Sequence, residues 1–516
     1  MSLTPLDAMI ESSENTDSEE GSGVDDNAQN KWISELLRKY LLKYVRDFLA
    51  KRKDGIPSPV TSTININILD GNGNSKNNPD VNSLIHRSDP EQIMTTYSEQ
   101  DDLEEKAMNN LRELDIIDID ITEETALGDD RITYLSRILS VAVNYSVAGA
   151  SHFLEWIVKV PSKFFDERNL ARETLVYLRE VSFYMNILEN IKMWLEHNCT
   201  PPSSDSQRIL LNVPTCYYAY FQESNNDFDP EIYEFPNSEY TLILEDLRAQ
   251  GFGKRHYSMG LTVEEATEAV REIAKFHVIS WAMEQHSHEE NLRWPNLLMW
   301  EDLHKIALTM VQQGFMHLRG FRTHQLKDST QIRQVDRLLA LESRLPNILE
   351  GLLKPLPPPA VTSLIHMDLW TDNLLFRETI ESNQMETNEG HGEQVEGATQ
   401  EVDMELDCMI LDWQMVSYGR ITHDLALLIM TSLDAQTRRT QAMSLLKFYF
   451  ETFERIAKCF KLEVPFEFMD FVDQYRSSCL LATLLSVGRM DLIVSEQSTL
   501  VRFFNALEDL QDEDLI

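Results

Sequence analysis

Positive charge is what this chain has least of. Lys and Arg together number 46 against 85 Asp and Glu, a formal net charge of -39 over 516 residues. So acidic a surface argues against general nucleic-acid binding and against docking on anionic lipid, because both partners are polyanions. A polyanionic ligand would have to meet its positive charge in one local pocket. Cysteine is also scarce. Cys199, Cys216, Cys408, Cys459 and Cys479 are odd in number and form no C-x-x-C pair, which favours free thiols in a reducing compartment over a disulfide framework. No apolar stretch approaches the roughly 20 residues that a membrane span requires. Met1-Ser2-Leu3-Thr4-Pro5 offers neither a basic nor an apolar leader region, so no secretory signal is expected. A soluble, cytoplasmic protein without a membrane span is the expectation. No internal repeat is visible, and no pattern speaks to oligomeric state. The hydrophobic fraction of 42% is slightly low, as polar insertions around a normal core would make it. The length exceeds one small domain and suits two lobes with extra segments.

Residues 1–30 are rich in Asp and Glu and contain no Lys or Arg, so an acidic disordered tail is expected there. Over 31–53 apolar residues from Trp32 to Leu49 recur at helical spacing, with Lys and Arg on the other face. This basic amphipathic helix either packs on the domain behind it, the favoured reading, or meets a membrane or a partner. A turn-rich linker follows at 69–80 and completes an N-terminal segment of 31–109. Ile132–Leu135, Ile138–Val143 and Phe153–Val160 read as strands, a long helical pattern spans roughly 170–195, and Thr215–Phe221 and Tyr240–Leu244 read as further strands. The remainder is mostly helical, except for Leu374–Phe376 and Cys408–Leu411. Between these two lies an acidic insertion, 377–407, expected to be disordered; a hairpin normally closes in two to five residues, and extra loop length costs little stability. The plan is α+β and bilobal: a small β-rich N-lobe over 110–247 and a large helical C-lobe over 248–516.

The chemistry centres on His366-Met367-Asp368-Leu369-Trp370-Thr371-Asp372-Asn373, followed by Leu411-Asp412-Trp413. An aspartate, an asparagine five residues on, and a second aspartate ending an apolar run are the arrangement phosphoryl transfer needs. One carboxylate accepts the proton of the attacking hydroxyl, while an amide oxygen and a second carboxylate hold magnesium on the nucleotide phosphates. Asp368 is the expected base, and Asn373 and Asp412 the expected Mg²⁺ ligands, being hard oxygen donors. His366 is expected to fix the loop by hydrogen bonds and Trp370 to pack. Asp424 either caps the helix it begins or braces the catalytic loop. Upstream, Lys159 ends an apolar strand, where a lysine can reach the α- and β-phosphates when a helix glutamate holds it; the plain alternative is a lysine snorkelling from a strand end. Glu173 and Glu180 are the candidate partners, Glu180 the favoured one. Leu242–Leu247 runs from an apolar strand into a charged turn, as a hinge would, and Glu245 and Leu247 are candidates for backbone bonds to an adenine edge. An ordinary strand end has the same look.

These residues make the chain resemble the ecdysteroid-kinase-like group, also called CHK kinase-like, of the aminoglycoside-phosphotransferase and choline-kinase superfamily. The motifs that carry the resemblance run from about residue 110 to the C-terminus: Gly128-Asp129-Asp130 to Ser136-Arg137, Val158-Lys159, Glu180 to Tyr184, Leu244–Leu247 with Gly251-Phe252, and Ala274-Lys275-Phe276-His277. Next come His366-x-Asp368-x-Trp370-x-x-Asn373, Asp412-Trp413-Gln414 and Asp424-Leu425-Ala426. Trp370 and Gln414 separate this group from protein kinases, and no D-F-G followed by A-P-E is present. Met367 departs from the Gly common in the family, Trp413 from the common Phe, and Gly128 and Gly149 are the only glycines of the nucleotide loop. The resemblance implies a protein-kinase-like bilobal fold. It also implies transfer of the γ-phosphate of ATP, with Mg²⁺, to a hydroxyl of a small molecule such as an ecdysteroid. The departures keep a second reading open: a catalytically weak or inactive kinase-fold binding protein.

Overall fold

The computed structural model describes residues 114–123, 135–147, 150–162, 165–198, 211–221, 240–287, 296–380 and 404–516. The acidic tail 1–30, the amphipathic stretch 31–53, the linker 69–80, Gly128, Gly149, Cys199 and most of the 377–407 insertion lie outside the described residues.

The N-terminal lobe is one antiparallel sheet. Its strands β1 (Leu114–Glu123), β2 (Ser136–Val147), β3 (Ala150–Pro161), β4 (Cys216–Phe221) and β5 (Tyr240–Glu245) lie in the order β1-β2-β3-β5-β4. Successive side chains alternate between faces. Val141 stands opposite Trp156 and Leu139 opposite Val158, and all four are buried. The same alternation sends Lys159 to the face opposite Val158 and Val160. β1 goes beyond the sequence-predicted strands, although Ile117-Asp118-Ile119-Asp120-Ile121 alternates with period two.

The predicted helix over 170–195 is divided. α1 (Phe165–Glu173) stops where Leu175 enters the left-handed region at φ 55, α2 (Val176–Ser182) restarts the chain, and a π-helical turn, Phe183–Ile187, precedes α3 (Leu188–Asn198). Each irregularity resets the helical phase. α2 is buried on nearly every side, with Val176, Tyr177, Arg179, Glu180, Val181 and Ser182 all inside, as a helix packed within a core is.

The C-terminal lobe begins with the short β6 (Gly253–Lys254) and α4 (Val263–His286), whose start is set by a capping box of Thr262 and Glu265. α5 (Trp300–His324), α6 (Ser329–Leu339) and α7 (Leu345–Leu353) lead to the strands β7 (Thr362–Ile365), β8 (Leu374–Ile380), β9 (Met404–Ile410) and β10 (Ser417–Arg420). The chain ends in α8 (Thr422–Ser432), α9 (Ala435–Cys459), α10 (Phe468–Val487), α11 (Met490–Ser495) and α12 (Gln497–Asp512). β7 pairs with β10, and β6, β8 and β9 form a three-stranded sheet. The β8–β9 ladder runs further than predicted: Arg377 pairs with Asp407 and Ile380 with Met404, and the Arg377 guanidinium closes on the Asp407 carboxylate at 2.6 Å. Every residue of α8 is buried, so it is the central helix of this lobe. Gly314 of α5 is required where α5 crosses the end of α10, since a Cβ there would overlap the Val487 carbonyl. The architecture is the predicted α+β pair of lobes. Cys216, Cys408, Cys459 and Cys479 are free thiols. No helix among the described residues is long and apolar enough to cross a membrane.

Candidate active site

Lys159 and Glu180 meet inside the N-lobe. The ammonium donates to Oε1 and Oε2 of Glu180 at 2.7 and 2.9 Å, and to Oδ1 of Asp412 at 2.8 Å. Burial alone would lower the Lys159 pKa, but the Asp412 and Glu180 carboxylates outweigh it and raise it, so the lysine stays charged. The Tyr240 hydroxyl donates to Glu180 Oε2 at 2.6 Å, and its ring stacks on Tyr177 at 4.3 Å. Glu173, the other candidate, is exposed at the end of α1 and takes no part. α2 is also clamped to the segment after Asp412. Arg179 Nε donates to the Gln414 carbonyl at 2.8 Å, and Phe183 stacks on Trp413 with centroids 4.1 Å apart. Trp413, fully buried, contacts Phe276 and His366 as well.

The His366–Asn373 loop follows β7. Asp368 is partly buried, and Asn373 Nδ2 donates to its Oδ2 at 3.0 Å and to its carbonyl at 2.8 Å. Those two bonds use the amide nitrogen and leave Oδ1 of Asn373 uncommitted to them. His366 fixes the loop as expected: the Asp368 N–H donates to Nδ1, so Nε2 carries the proton and donates to the Leu411 carbonyl at 2.8 Å. The Leu411 N–H in turn donates to the Asn373 carbonyl at 2.9 Å. These backbone bonds tie the loop to the strand end that presents Asp412, whose φ of 63 turns the chain there.

Asp424 braces the loop rather than capping α8, whose cap position is Ile421. Its Oδ1 accepts the Met367 N–H and its Oδ2 the His366 N–H, both at 2.7 Å. His277 Nε2 donates to the same carboxylate at 3.0 Å, and His277 Nδ1 accepts from the Tyr449 hydroxyl at 2.8 Å. Burial would raise the Asp424 pKa, but the His277 and backbone hydrogen bonds outweigh it and hold it below the ordinary value. Met367 sits at φ 62, a left-handed conformation that a glycine takes freely and a methionine adopts at a cost of roughly 1–2 kcal/mol. The two bonds to Asp424 hold it there.

At the hinge, the Glu245 N–H donates to the Thr215 carbonyl at 2.9 Å, and the Leu247 carbonyl accepts from the Phe252 N–H at 3.2 Å. The Leu247 side chain packs with Phe252 and Leu375, so the hinge rests on the hairpin that carries Asn373 and Asp412. Sequence reasoning passed over Arg489, just after α10. Its guanidinium forms an ion pair with Asp368 Oδ1 and lies 4.2 Å from the centre of the Trp370 ring, which it packs together with Tyr257. Burial would lower the Arg489 pKa, and Asp368 raises it. Burial raises the Asp372 carboxyl, with Lys254, Arg489 and His256 opposing it. Both candidate cations for a polyanion, Arg489 and Lys159, are paired with carboxylates in this arrangement.

Among the described residues no group of three or more His, Cys, Asp or Glu is placed to hold a metal ion. Asp412 and Asn373 offer two oxygen donors, a sparse set that fits Mg²⁺, which keeps waters and leans on substrate phosphates rather than on an all-protein cage.

The model of the ecdysteroid kinase-like family matches residues 132–388, which contain Lys159, Glu180, Asp368 and Asn373. A second family model, described as "Uncharacterized oxidoreductase dhs-27", matches residues 398–500, which contain Asp412, Asp424 and Arg489. Comparison with curated proteins finds no match. Among solved structures, a choline kinase from Cryptosporidium parvum is similar at 10% identity over 77% of this chain and 91% of that one, with a TM-score of 0.39. An ethanolamine kinase from Plasmodium vivax is similar at 10% identity over 83% and 91%, with a TM-score of 0.33. LicA in complex with AMP is similar at 12% identity over 80% and 98%, with a TM-score of 0.33; the choline kinase LicA comes from Streptococcus pneumoniae. On the family match over residues 132–388, the chain belongs to the ecdysteroid kinase-like family.

Proposed function

We propose that this protein is an ATP-dependent kinase that moves the γ-phosphate to a hydroxyl of a small molecule, such as an ecdysteroid, another steroid or a small alcohol. The observation that carries the reading is the joining of two clusters. Lys159, Glu180 and Asp412 form one, Asp368 and Asn373 the other, and the bonds through Leu411 link them. Lys159, fixed by Glu180, is the cation for the α- and β-phosphates, and the backbone at Glu245 and Leu247 is the rest for the adenine edge. Asn373 and Asp412 would hold Mg²⁺, which when bound neutralises charge on the phosphates. Asp368 takes the proton of the acceptor hydroxyl. The hydroxyl oxygen bonds to the γ-phosphorus as the bond from that phosphorus to the ADP oxygen breaks. Asn373 and His366 keep the Asp368 carboxylate and its loop in place during the transfer.

The test is ATP turnover by the purified protein against a panel of ecdysteroids and simple alcohols, with Asp368→Asn beside it. Loss of general-base catalysis predicts a fall of roughly 10²–10⁴ in rate. Phosphate transfer that survives Asp368→Asn unchanged would sink the assignment.

A further inference from the structure

Next to the proposed base, the chain places its own cations on aromatic faces that would suit a substrate ammonium. Arg489 pairs with Asp368 Oδ1 and lies over Trp370 at 4.2 Å. Tyr257 meets Trp370 edge-on, with ring centroids 5.0 Å apart, and Arg502 of α12 lies over Tyr257 at 5.0 Å. Arg502 is held there by bonds from Nη1 to the Thr431 carbonyl at 2.9 Å and from Nη2 to the Tyr257 and Ser258 carbonyls at 2.9 and 3.0 Å. Aromatic faces beside a carboxylate are the chemistry by which alkylammonium groups are recognised. Here each ring carries a guanidinium already, and the carboxylate is already paired. A small adjoining pocket, with room for about one water and lined by Tyr257, Thr483, Ser486, Ile493, Arg502 and Phe503 among others, has no acidic side chain.

We propose that Arg489 is a specificity-determining residue that orients the Asp368 carboxylate and excludes cationic acceptors. The hydroxyl presented to Asp368 then belongs to a molecule that is uncharged around that hydroxyl. An amino alcohol would bring a second positive charge against a fixed guanidinium, with both aromatic faces and the Asp368 carboxylate already taken and the nearby Asp372 carboxyl facing Lys254, Arg489 and His256. The inference rests on the kinase reading above and narrows its acceptor class. Arg489 acts on the reaction through Asp368 and through charge, so it is a positioning residue.

The experiment compares choline with neohexanol, its all-carbon isostere, as phosphate acceptors for the wild type, Arg489→Lys and Arg489→Gln. The readout is the ratio of the two kcat/KM values. The wild type should favour the neutral alcohol by about tenfold or more, Arg489→Lys should keep that preference, and Arg489→Gln should reduce it by about tenfold. Equal or better use of choline by the wild type, or an unchanged ratio in Arg489→Gln, overturns the proposal. If neither small acceptor is turned over, titration with tetramethylammonium, read by tryptophan fluorescence, decides. Arg489→Ala should bind this cation where the wild type does not; binding by both or by neither overturns the proposal. Thermal stabilisation by ATP and Mg²⁺ is measured in parallel. Its absence in a folded wild type fails the kinase reading itself, whereas its presence without charge discrimination fails only the role of Arg489.

Discussion

Replacing Asp424 by Asn should unsettle the catalytic loop without touching any proposed substrate-binding atom. Asp424 is wholly buried and accepts two backbone N–H groups at 2.7 Å and His277 at 3.0 Å. Asparagine has the same shape but only one accepting oxygen, so its NH₂ group must face an N–H of the loop or the ring of His277. One hydrogen bond to a charged group, worth about 1.5–3 kcal/mol, is lost, and a buried donor is left unpaired at about 1–3 kcal/mol. The sum, roughly 2.5–6 kcal/mol, brackets the roughly 3–5 kcal/mol cost of breaking a buried charged pair. The left-handed Met367 adds a local reason to relax, because the N–H that holds it there is one of the two at stake. Urea unfolding should show a lower midpoint with an unchanged slope, and phosphate transfer should fall at least about tenfold. The pH dependence carries the same signature. The folded pKa of Asp424 is depressed, so its contribution to stability is present above the unfolded carboxylate value and is lost as pH falls through the lower folded value. Asp424→Asn should flatten that acid limb. A variant within about 0.5 kcal/mol of the wild type, the range of an ordinary surface change, would refute the bracing role.

Lys159→Met should cost about 3–5 kcal/mol, because it leaves the buried Glu180 carboxylate without its cation, and it should abolish the thermal shift with ATP and Mg²⁺. Adding Glu180→Gln should return part of the stability but none of the shift, a non-additivity that a double-mutant cycle reads directly. Trp413→Phe keeps a ring against Phe183 but deletes the Nε1 bond to the Ile410 carbonyl at 3.2 Å; a loss of about 1–2 kcal/mol in denaturant is expected. Residues 381–403 should be replaceable by Asn-Gly. Ile380 and Met404 stand directly opposite each other at the end of the ladder, and a two-residue turn closes such a pair. An unfolding midpoint below that of the wild type would count against this.

The candidate site residues were legible because their spacing is tied to local structure. A lysine at a strand end, an aspartate with an asparagine five residues on, and an aspartate ending a strand need no tertiary information to be noticed. The choice between Glu173 and Glu180 was harder for a geometric reason. In one continuous helix, residues seven apart lie within about 20° of the same face, so periodicity rates them alike. The left-handed Leu175 breaks that equivalence, leaving Glu173 exposed on α1 and Glu180 buried on α2. β7 and β10 were passed over because four-residue segments such as Thr362–Ile365 and Ser417–Arg420 have no period long enough to tell strand from helix. Arg489 was invisible in a stronger sense: it lies 121 residues from Asp368, and nothing local marks it out from other arginines in helical surroundings.

On the role proposed for Lys159, the arrangement around it also sets what would change when a phosphate binds. An ammonium has three N–H donors, and Lys159 spends them on Glu180 Oε1, Glu180 Oε2 and Asp412 Oδ1. A phosphate oxygen can be met only by releasing one of these. Glu180 is 2% exposed at its side chain and Asp412 25%, and Tyr240 adds a further bond to Glu180, so the Asp412 bond is the one that costs least to exchange. Releasing it frees the same oxygen that Mg²⁺ would take. Meanwhile α2 stays bound to the segment after Asp412 through Arg179 and the Phe183–Trp413 stack, so the lysine's partner and the metal ligand remain one body during the exchange. If Lys159 and Asp412 have the roles proposed above, lysine release and metal capture would be two sides of a single substitution at Asp412, which would couple nucleotide phosphate to Mg²⁺.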